Sequence, residues 1–549
     1  MGWEQDIKHL DERNIAYEII VPDMPQYYAS RLCQNMPMGG YKTFSEIVAA
    51  MDSLHDLYPD IVSGRDSISA GCDGNIVWVM KISDNVAVDE DEPEVLYDAT
   101  IHAREVICPE VLIYFMHWLC EGYGINPLAT YLVNEREMWF IPVVNPDGYV
   151  RNEIDNPGGG GMWRKNTRDN NDNGVFDTDY DGVDMNRNFG YMWGTGGSSS
   201  YPGDDTYMGP DLFSEPEIQG YRDFVLSRQF VTNLTYHSYS ALYLFPWGYT
   251  YEHCPDHDFF MLVTNWMASC NGYVHGNGSE TIYLTSGTTF DWMYGEHDII
   301  SITPEVGGAS DGFWPPIERK IPLCQEQLLA NIVISIIAGA VPGVYEIDID
   351  EIAGDGDGYP DVGENGSLGV IVRNSGIELA TDVSLVARSI TDGIVLIDST
   401  TTVTGSVVPR GGTAGATGIS FSVAPPILPG ETAFVEMTVS MSDGYLWTDT
   451  VNFIIGTPEV VYENGFESTY SDWSFTGDWE VGTPTGRPVP YSAPNVLGTD
   501  LDPGYMDETL SIATGPIYFV SDEIYKPHLS FWHWYEIEGN PAEYYDGGQ

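Results

Sequence analysis

The chain has 549 residues, with 82 Asp plus Glu against 22 Lys plus Arg, a formal net charge of −60 at pH 7. That length exceeds one hydrophobic core and suggests about three or four domains, while the acidic excess excludes a nucleic-acid partner, which needs a basic face, and disfavours an anionic membrane surface. With 43% hydrophobic and 13% aromatic residues the chain has material for packed cores, so bulk disorder is excluded too.

Residues 1–38 read as a separate polar lead-in that ends in Asn35-Met36-Pro37-Met38. No secretory leader stands at its start, since Glu4, Asp6 and Lys8 follow Met1 without an apolar stretch. The abrupt stop at Gly548-Gln549 suggests a fragment. From residue 39 the pattern alternates: helix over 44–57, strands over 76–82 and 95–101, helix over 109–120. Strands follow over 138–144, 231–236 and 299–303, and a closing helix over 325–337. Alternating strands and helices predict an α/β domain over 39–341, with a mixed central β-sheet flanked by helices. The longest apolar run, 328–341, contains Asn331 and Ser335 and is too short to span a bilayer.

After Pro342 the helical pattern ends. Residues 342–457 are rich in Gly, Thr, Ser and Val, with alternating stretches at 369–372, 383–387 and 433–439 and turn signals such as Asn374-Ser375-Gly376. They predict an Ig-like or adhesion-type β-sandwich. From Val461 aromatic content rises (Trp473, Phe475, Trp479, Phe531, Trp532, Trp534), which predicts a further, incomplete β-domain over 458–549. The seven cysteines, at 33, 72, 108, 120, 254, 270 and 324, form no C-x-x-C pair. A Cys-based zinc site is therefore disfavoured, and in an exported protein Cys254 with Cys270 is the candidate disulfide.

One segment carries chemistry. Residues 94–108, EVLYDATIHAREVIC, read as a strand that stops at His102 and turns into a helix. His102 and Glu105, three residues apart, can chelate one ion, and both are normal Zn²⁺ ligands. The spacing alone is unspecific, because His9/Glu12 and His533/Glu536 share it. His237 directly follows the apolar strand FVTNLTY and supplies a third ligand from another strand end. Three protein ligands leave a fourth position open, the catalytic rather than the structural arrangement.

Further blocks stand in order along the chain: His102-Ala103-Arg104-Glu105, Asn145-Pro146-Asp147-Gly148-Tyr149, Trp163-Arg164-Lys165 and Gly182-Val183-Asp184 with Asn186-Arg187-Asn188. Then come His237-Ser238-Tyr239-Ser240, Pro246-Trp247-Gly248-Tyr249, Ile282-Tyr283, Ser286-Gly287, Asp291-Trp292 and Thr303-Pro304-Glu305. On these blocks the first 341 residues resemble zinc metallocarboxypeptidases of the pancreatic carboxypeptidase A family. The resemblance implies that His102, Glu105 and His237 hold one catalytic zinc ion and that Glu305 is the general base. It implies that Arg187, with Asn186, clamps the C-terminal carboxylate of a peptide, for which a guanidinium offers two parallel hydrogen bonds. Tyr283 is the residue that closes over substrate, and Arg104 and Tyr239 line the approach. The oxyanion arginine is expected three residues beyond Arg164-Lys165; here an arginine arrives one residue late, and a one-residue insertion gives the role to Arg168. Phe290, just before Asp291-Trp292, is the pocket floor, with Leu244, Gly248, Thr285 and Thr303 around it. An apolar floor favours a hydrophobic or aromatic C-terminal residue, because burying a free cation there is costly.

Two acidic loops are calcium candidates: Asp169, Asn171, Asn173 and Asp177 in an EF-hand-like D-x-N-x-N-G stretch, and Asp355, Asp357, Asp361 and Glu364, with Ala353 at the first ligand position. A solvated acidic loop accounts for either stretch as well. The leading expectation is a secreted carboxypeptidase made as a precursor, with 1–38 as a propeptide remnant and peptides or proteins as substrates. The appended β-domains would contact surfaces or carbohydrate. The last segment resembles MAM-like or immune-inhibitor-A-type jelly rolls through Gly477-Asp478-Trp479-Glu480 and Phe531-Trp532-His533-Trp534. One alternative is a peptidoglycan-stem or isopeptide hydrolase on the same fold, against which Asn186-Arg187 and Phe290 argue. The other is a non-catalytic adhesin, against which the retained ligands and Glu305 argue.

Overall fold

The computed structural model describes residues 21, 23–33, 35–456, 462–467, 470–484, 494–499, 501 and 511–516, and the backbone of 539–540 and 543–544. The chain order begins α1 (Met24–Ser30), α2 (Phe44–Leu57), β1 (Asp66–Ala70), β2 (Ile76–Ile82), β3 (Glu94–Ala99), α3 (Ile107–Gly122), α4 (Pro127–Glu135), β4 (Glu137–Ile141) and α5 (Pro146–Asp155). It continues α6 (Pro216–Leu226), β5 (Phe230–Tyr236), β6 (Leu242–Phe245), α7 (His257–Ala268), β7 (Val274–Asn277), α8 (Gly278–Thr281), α9 (Thr289–His297), β8 (Ile300–Glu305), α10 (Lys320–Glu326) and α11 (Leu328–Ile337). Local chemistry sets several boundaries. Thr43 and Glu46 close a reciprocal capping box at the start of α2, and Pro127 and Pro146 begin helices where a missing N–H costs nothing.

Eight strands form one mixed sheet in the order β1-β2-β4-β3-β5-β8-β6-β7. At its centre β4, β3, β5 and β8 run parallel, with Tyr97 of β3 opposite Phe140 and Leu234, and Leu234 opposite Ile302. Inner parallel strands are covered on both faces, which is why β3 is buried at every position and reads as a continuous rather than alternating run. Successive side chains still serve opposite faces: Val95 and Tyr97 enter one core cluster and Leu96 the other. The parallel arrangement brings the carboxyl ends of β3, β5 and β8 side by side, where open α/β sheets place ligands.

The helical stretch Ile317–Ile337 is long and apolar enough, by length and composition, to cross a membrane. It packs instead on the sheet as a core helix. Asn331 and Ser335 are buried, and Asn331 receives hydroxyl hydrogen bonds from Tyr97 and Tyr236 at 2.7 and 2.8 Å.

The expected lead-in over 1–38 is not a separate piece where it is described. Tyr28, Leu32 and Met38 are buried in the main core, and the Tyr28 hydroxyl accepts the Phe313 N–H. Arg31 donates to the Ser310 carbonyl, and Met38 N–H to the Pro157 carbonyl at 2.9 Å. The segment looked polar because its inward face is only Met24, Tyr28 and Leu32, one residue per turn at i, i+4 spacing on a single short helix and its end, yet these residues and Met38 pack against the α/β body. Leu32→Ala should therefore lower the unfolding free energy by about 2–5 kcal/mol, the range for emptying a buried leucine site, read as an earlier urea midpoint. A change below about 0.5 kcal/mol would mean the segment is only laid on the surface.

Residues past 341 form two four-stranded sheets of antiparallel pairs. One contains β9 (Pro342–Ala353), β10 (Asn365–Asn374), β12 (Ile394–Asp398) and β14 (Thr413–Val423). The other contains β11 (Ser384–Ser389), β13 (Thr400–Thr402), β15 (Thr432–Ser440) and β16 (Leu446–Ile454). Strict alternation of burial along β10 and β15 turns Leu368, Val370, Val372, Val435, Met437 and Val439 into one shared core. This unit is tied to the α/β body. Arg410 donates to Asp256 at 2.6 Å and to both Asp298 carboxylate oxygens at 2.9 Å, and Tyr445 is buried in the main core.

Farther on, the described strands pair only in twos, Ser474–Thr476 with Ile512–Thr514, Trp479–Gly482 with Val496–Thr499 and Gly539–Asn540 with Glu543–Tyr544. The jelly-roll expectation rests largely on residues outside those described, including Phe531, Trp532 and Trp534. The cysteine expectation is corrected: all seven thiols are free. The 12-residue helix α7 stands between Cys254 and Cys270; such a helix is about 18 Å long, well beyond the roughly 7 Å Cα separation a disulfide bridges.

Candidate active site

His102 lies three residues beyond β3, His237 immediately follows β5 and Glu305 ends β8. Adjacent parallel strands thus deliver three functional side chains to one edge, although 203 positions separate the first from the last. The His102 and His237 Nδ1 atoms stand 3.0 Å apart. Glu105 bridges them, with Oε1 2.8 Å from His102 Nδ1 and Oε2 3.1 Å from His237 Nδ1. All three residues are buried, and their ligand atoms lie within 4.8 Å of one another. Two imidazole nitrogens and a carboxylate converging in a buried spot fit Zn²⁺.

The outer nitrogen of His102, Nε2, lies 3.2 Å from Asp184 Oδ1, a carboxylate partner of the kind that fixes the orientation of a metal-ligating imidazole. Asp184 Oδ2 accepts from Arg164 Nε at 3.1 Å and Nη2 at 2.8 Å. Burial alone would raise the Asp184 carboxyl; the Arg164 guanidinium, helped by Arg187 and His102, holds it well below the usual carboxylate range. Glu105 behaves alike, burial being overcome by the two imidazoles, so it stays ionised. Glu305 is the opposite case: burial, opposed by His237 and reinforced by Glu105, pushes its carboxyl up to about 7.

A cavity of about 260 Å³ opens in front of this cluster. His102, Glu105, His237, Glu305, Asn186, Arg187, Tyr283, Arg104, Tyr239 and Phe290 all line it, so the structure brings together every expected residue of the site except one. Arg187 is anchored through Nε and Nη1 on the carbonyls of Gly197 and Asn186, at 3.2 and 2.7 Å. Asn186 is held by Thr289, whose N–H and hydroxyl both donate to its side-chain amide oxygen, Oδ1. Arg104 pairs with Asp205 at 3.2 Å and lies over the Phe313 ring, against which Tyr239 also packs. Tyr283 is 51% exposed at the rim. Phe290 is buried at the floor with Leu244, Thr285 and Thr303 nearby. Gly248 keeps that floor clear, because a Cβ there would stand 2.4 Å from Thr285 Oγ1 and 2.9 Å from the Phe290 ring. Among the described residues lining the cavity the only acids are Glu105 and Glu305.

The exception is Arg168. Its side chain is one-third exposed and pairs with Glu215 at 3.2 Å, and it does not reach the cavity. Arg164 takes the place expected for it, lining the cavity while Asp184 grips two of its nitrogens. Residues 161–168 contain no helix or strand, so counting from Trp163 does not fix which side chain points inward. Asp184 was also missed as a functional residue. Its signal was its place two residues before Asn186, where Asp184 caps the short 3-10 turn (Met185–Arg187) that carries Asn186 and Arg187.

The acidic loops wind around their own carboxylates. Asp169 accepts from the N–H groups of Gly174, Asn173 and Asn171, and Asn171 donates to Asp177 at 3.2 Å. In the second loop Asp355, Asp357 and Glu351 cluster, Glu351 supplying the third carboxylate. Glu364 instead accepts the Asp355 and Asp361 N–H groups.

Comparison with known proteins places these features in a lineage. The profile of the family described as zinc carboxypeptidase matches residues 47–330. A zinc carboxypeptidase of Saccharothrix mutabilis subsp. capreolus is 38% identical over 298 residues, covering 51% of this chain and 66% of that protein. Human mast cell carboxypeptidase A is 30% identical over 338 residues, covering 58% of this chain and 78% of that protein. The crystal structure of thrombin activatable fibrinolysis inhibitor superposes with a TM-score of 0.52 at 27% identity, over 61% of this chain and 85% of that one. Carboxypeptidase A from Helicoverpa armigera, at 24% identity and a TM-score of 0.52, has the same fold. With the family profile spanning half its length, this chain belongs to the zinc carboxypeptidases, a family of peptide hydrolases.

Proposed function

We propose that the chain is an exopeptidase that removes hydrophobic or aromatic C-terminal residues from peptides. The observation that carries this reading is a single cavity with Arg187 and Asn186 at one wall, Phe290 at the floor and the His102–Glu105–His237 cluster beside Glu305. A zinc ion held by that donor set supplies Lewis-acid polarisation of a carbonyl and a lowered water pKa. Arg187 and Asn186 hold the free carboxylate of the substrate, which limits cleavage to the last peptide bond. Glu305 takes the proton of the attacking water and returns it to the leaving amine. Arg164, preoriented by Asp184, donates to the oxyanion that develops on the scissile carbonyl. Tyr283 covers the mouth, and Arg104 and Tyr239 bound the path of the preceding residue.

The catalytic unit we infer runs from about residue 23, not 39, to 341. Residues 342–457 are assigned to an Ig-like β-sandwich and residues 458–549 to a jelly-roll-like domain, both suited to surface or carbohydrate contact. Export from the cell and calcium in the 169–177 and 355–364 loops complete the reading.

The test is release of amino acids from N-blocked dipeptides ending in Phe, Leu, Arg or Glu, with and without a chelator. Phe and Leu should be released in a chelator-sensitive way, with kcat/KM for Phe at least about 100-fold above that for Arg, since the floor offers a cation no partner. Arg release at a comparable rate would overturn the apolar-floor assignment, and no release from any of the four would overturn the exopeptidase reading.

A further inference from the structure

Away from the cavity, the turn between β1 and β2 meets the N-terminus of α6. There Cys72, Glu215 and Glu217 each present a ligand atom, and the three atoms lie within 4.8 Å of one another. Both glutamates are completely buried, while Cys72 is exposed. Glu215 has partners: Oε1 accepts from Ser214 Oγ at 2.7 Å and Arg168 Nη1 at 3.2 Å, and Oε2 accepts from the Asn166 amide at 2.7 Å.

Glu217 is different. Its Oε2 accepts one long bond, 3.4 Å, from the same amide, and its Oε1 is buried with no hydrogen-bond partner. A buried oxygen without a partner is costly, and native proteins rarely leave one. The orphaned oxygen faces a confined space shared with another acid. A Cβ added to Gly71 would stand 2.9 Å from Glu217 Oε1 and 2.2 Å from Asp147 Oδ2. Arg168 pairs with Glu215 alone among these acids, and Asp147 is held by Asp73 N–H and by the backbone and side-chain N–H groups of Asn75. Burial first, opposed by a bond from its own backbone N–H and reinforced by Glu215 and Asp147, pushes the Glu217 carboxyl up to about 8, and burial with Glu217, Glu215 and Asp147 raises the Cys72 thiol. Buried acidic groups kept protonated for want of a counter-charge are the condition that a bound cation relieves, by taking the place of their protons.

We propose that Cys72, Glu215 and Glu217 form a second divalent-cation site, separate from the His102–Glu105–His237 centre. A thiolate beside two carboxylates selects a borderline ion such as Zn²⁺ over Ca²⁺ or Mg²⁺, which take oxygen ligands. Exposed Cys72 is the entry, and binding expels the thiol proton and the Glu217 proton. The ion ties the β1–β2 turn to the start of α6, a structural role. None of its ligands lines the cavity, so the site stands independently of the proposed reaction.

Cobalt(II) added to the full, metal-stripped chain is the probe, because sulfur is absent from the His102–Glu105–His237 set. Thiolate-to-cobalt charge-transfer absorption in the near ultraviolet then reports Cys72. Two equivalents should bind, the sulfur band should accompany one of them, and alkylation of Cys72 should slow by more than about tenfold. Cys72→Ser, at an exposed position that tolerates the change, should lose the band and one equivalent; Glu217→Gln, which keeps the shape, should do the same. Absence of a sulfur band in a chain that binds one equivalent overturns the proposal, as does a band that survives Cys72→Ser.

Discussion

Arg164→Ala lowers kcat by about 10²–10³-fold, the cost of removing one preorganised oxyanion donor, while Arg168→Ala leaves kcat per folded molecule within about threefold, as expected of an ion pair outside the site. The contrast comes from the contacts of each guanidinium. Arg164 is buried, lines the cavity and gives Nε and Nη2 to Asp184, while its Nη1 has no hydrogen bond among the described residues. That geometry aims a fixed positive charge at the space before the His102–Glu105–His237 cluster. Arg168 spends its Nη1 on Glu215 and stays partly in solvent. Steady-state kinetics on a blocked Phe dipeptide, with zinc content measured beside it, decides the matter. Equal losses in the two variants, or a larger loss for Arg168→Ala, would sink the assignment.

Glu305→Gln should lower kcat by about 10²–10⁴-fold with KM little changed, the usual range for losing a positioned general base. The amide keeps the size of the side chain but takes no proton. Glu305 is not one of the three converging ligands, so zinc content should stay at the wild-type level. Its position suits it to the role of base. β8 ends at Glu305, one strand over from β5, and the backbone bridge between His237 and Glu305 sets the carboxylate beside the ligand cluster. A variant that retains zinc and turns over at the wild-type rate would place the base elsewhere.

Much of this was legible in the residues. His237 and Glu305 stand at strand ends and His102 and Glu105 in the short turn between β3 and the helix after it, and strand ends are visible as the points where an apolar run stops at a polar residue. The alternation along 369–372 and 433–439 likewise anticipated strands whose inward residues now share a core. Where a periodic segment carried the signal, the boundaries fell within a few residues of the observed elements, as for 44–57 and 231–236 against Phe44–Leu57 and Phe230–Tyr236. Irregular segments gave no such hold. Residues 24–38 pack Tyr28, Leu32 and Met38 inward from a helix of only seven residues and the loop after it, too short a repeat to stand out, and residues 161–168 aim Arg164 rather than Arg168 at the cavity. The disulfide expectation failed for a related reason: sixteen positions look short in sequence, but a rigid helix occupies most of them.

The sequence alone determined the chemistry available: which donors exist, on which strand ends they sit, and that an acidic chain of this composition folds around several cores. Tertiary structure alone decided which of two neighbouring arginines faces the cavity, that Asp184 holds both His102 and Arg164, and that Cys72 meets Glu215 and Glu217. The reason is physical. Periodicity fixes side-chain direction only inside helices and strands, where the backbone repeats. In loops, and between residues far apart in the chain, direction is set by packing and by the need to pair buried charge, and both exist only once the chain has folded.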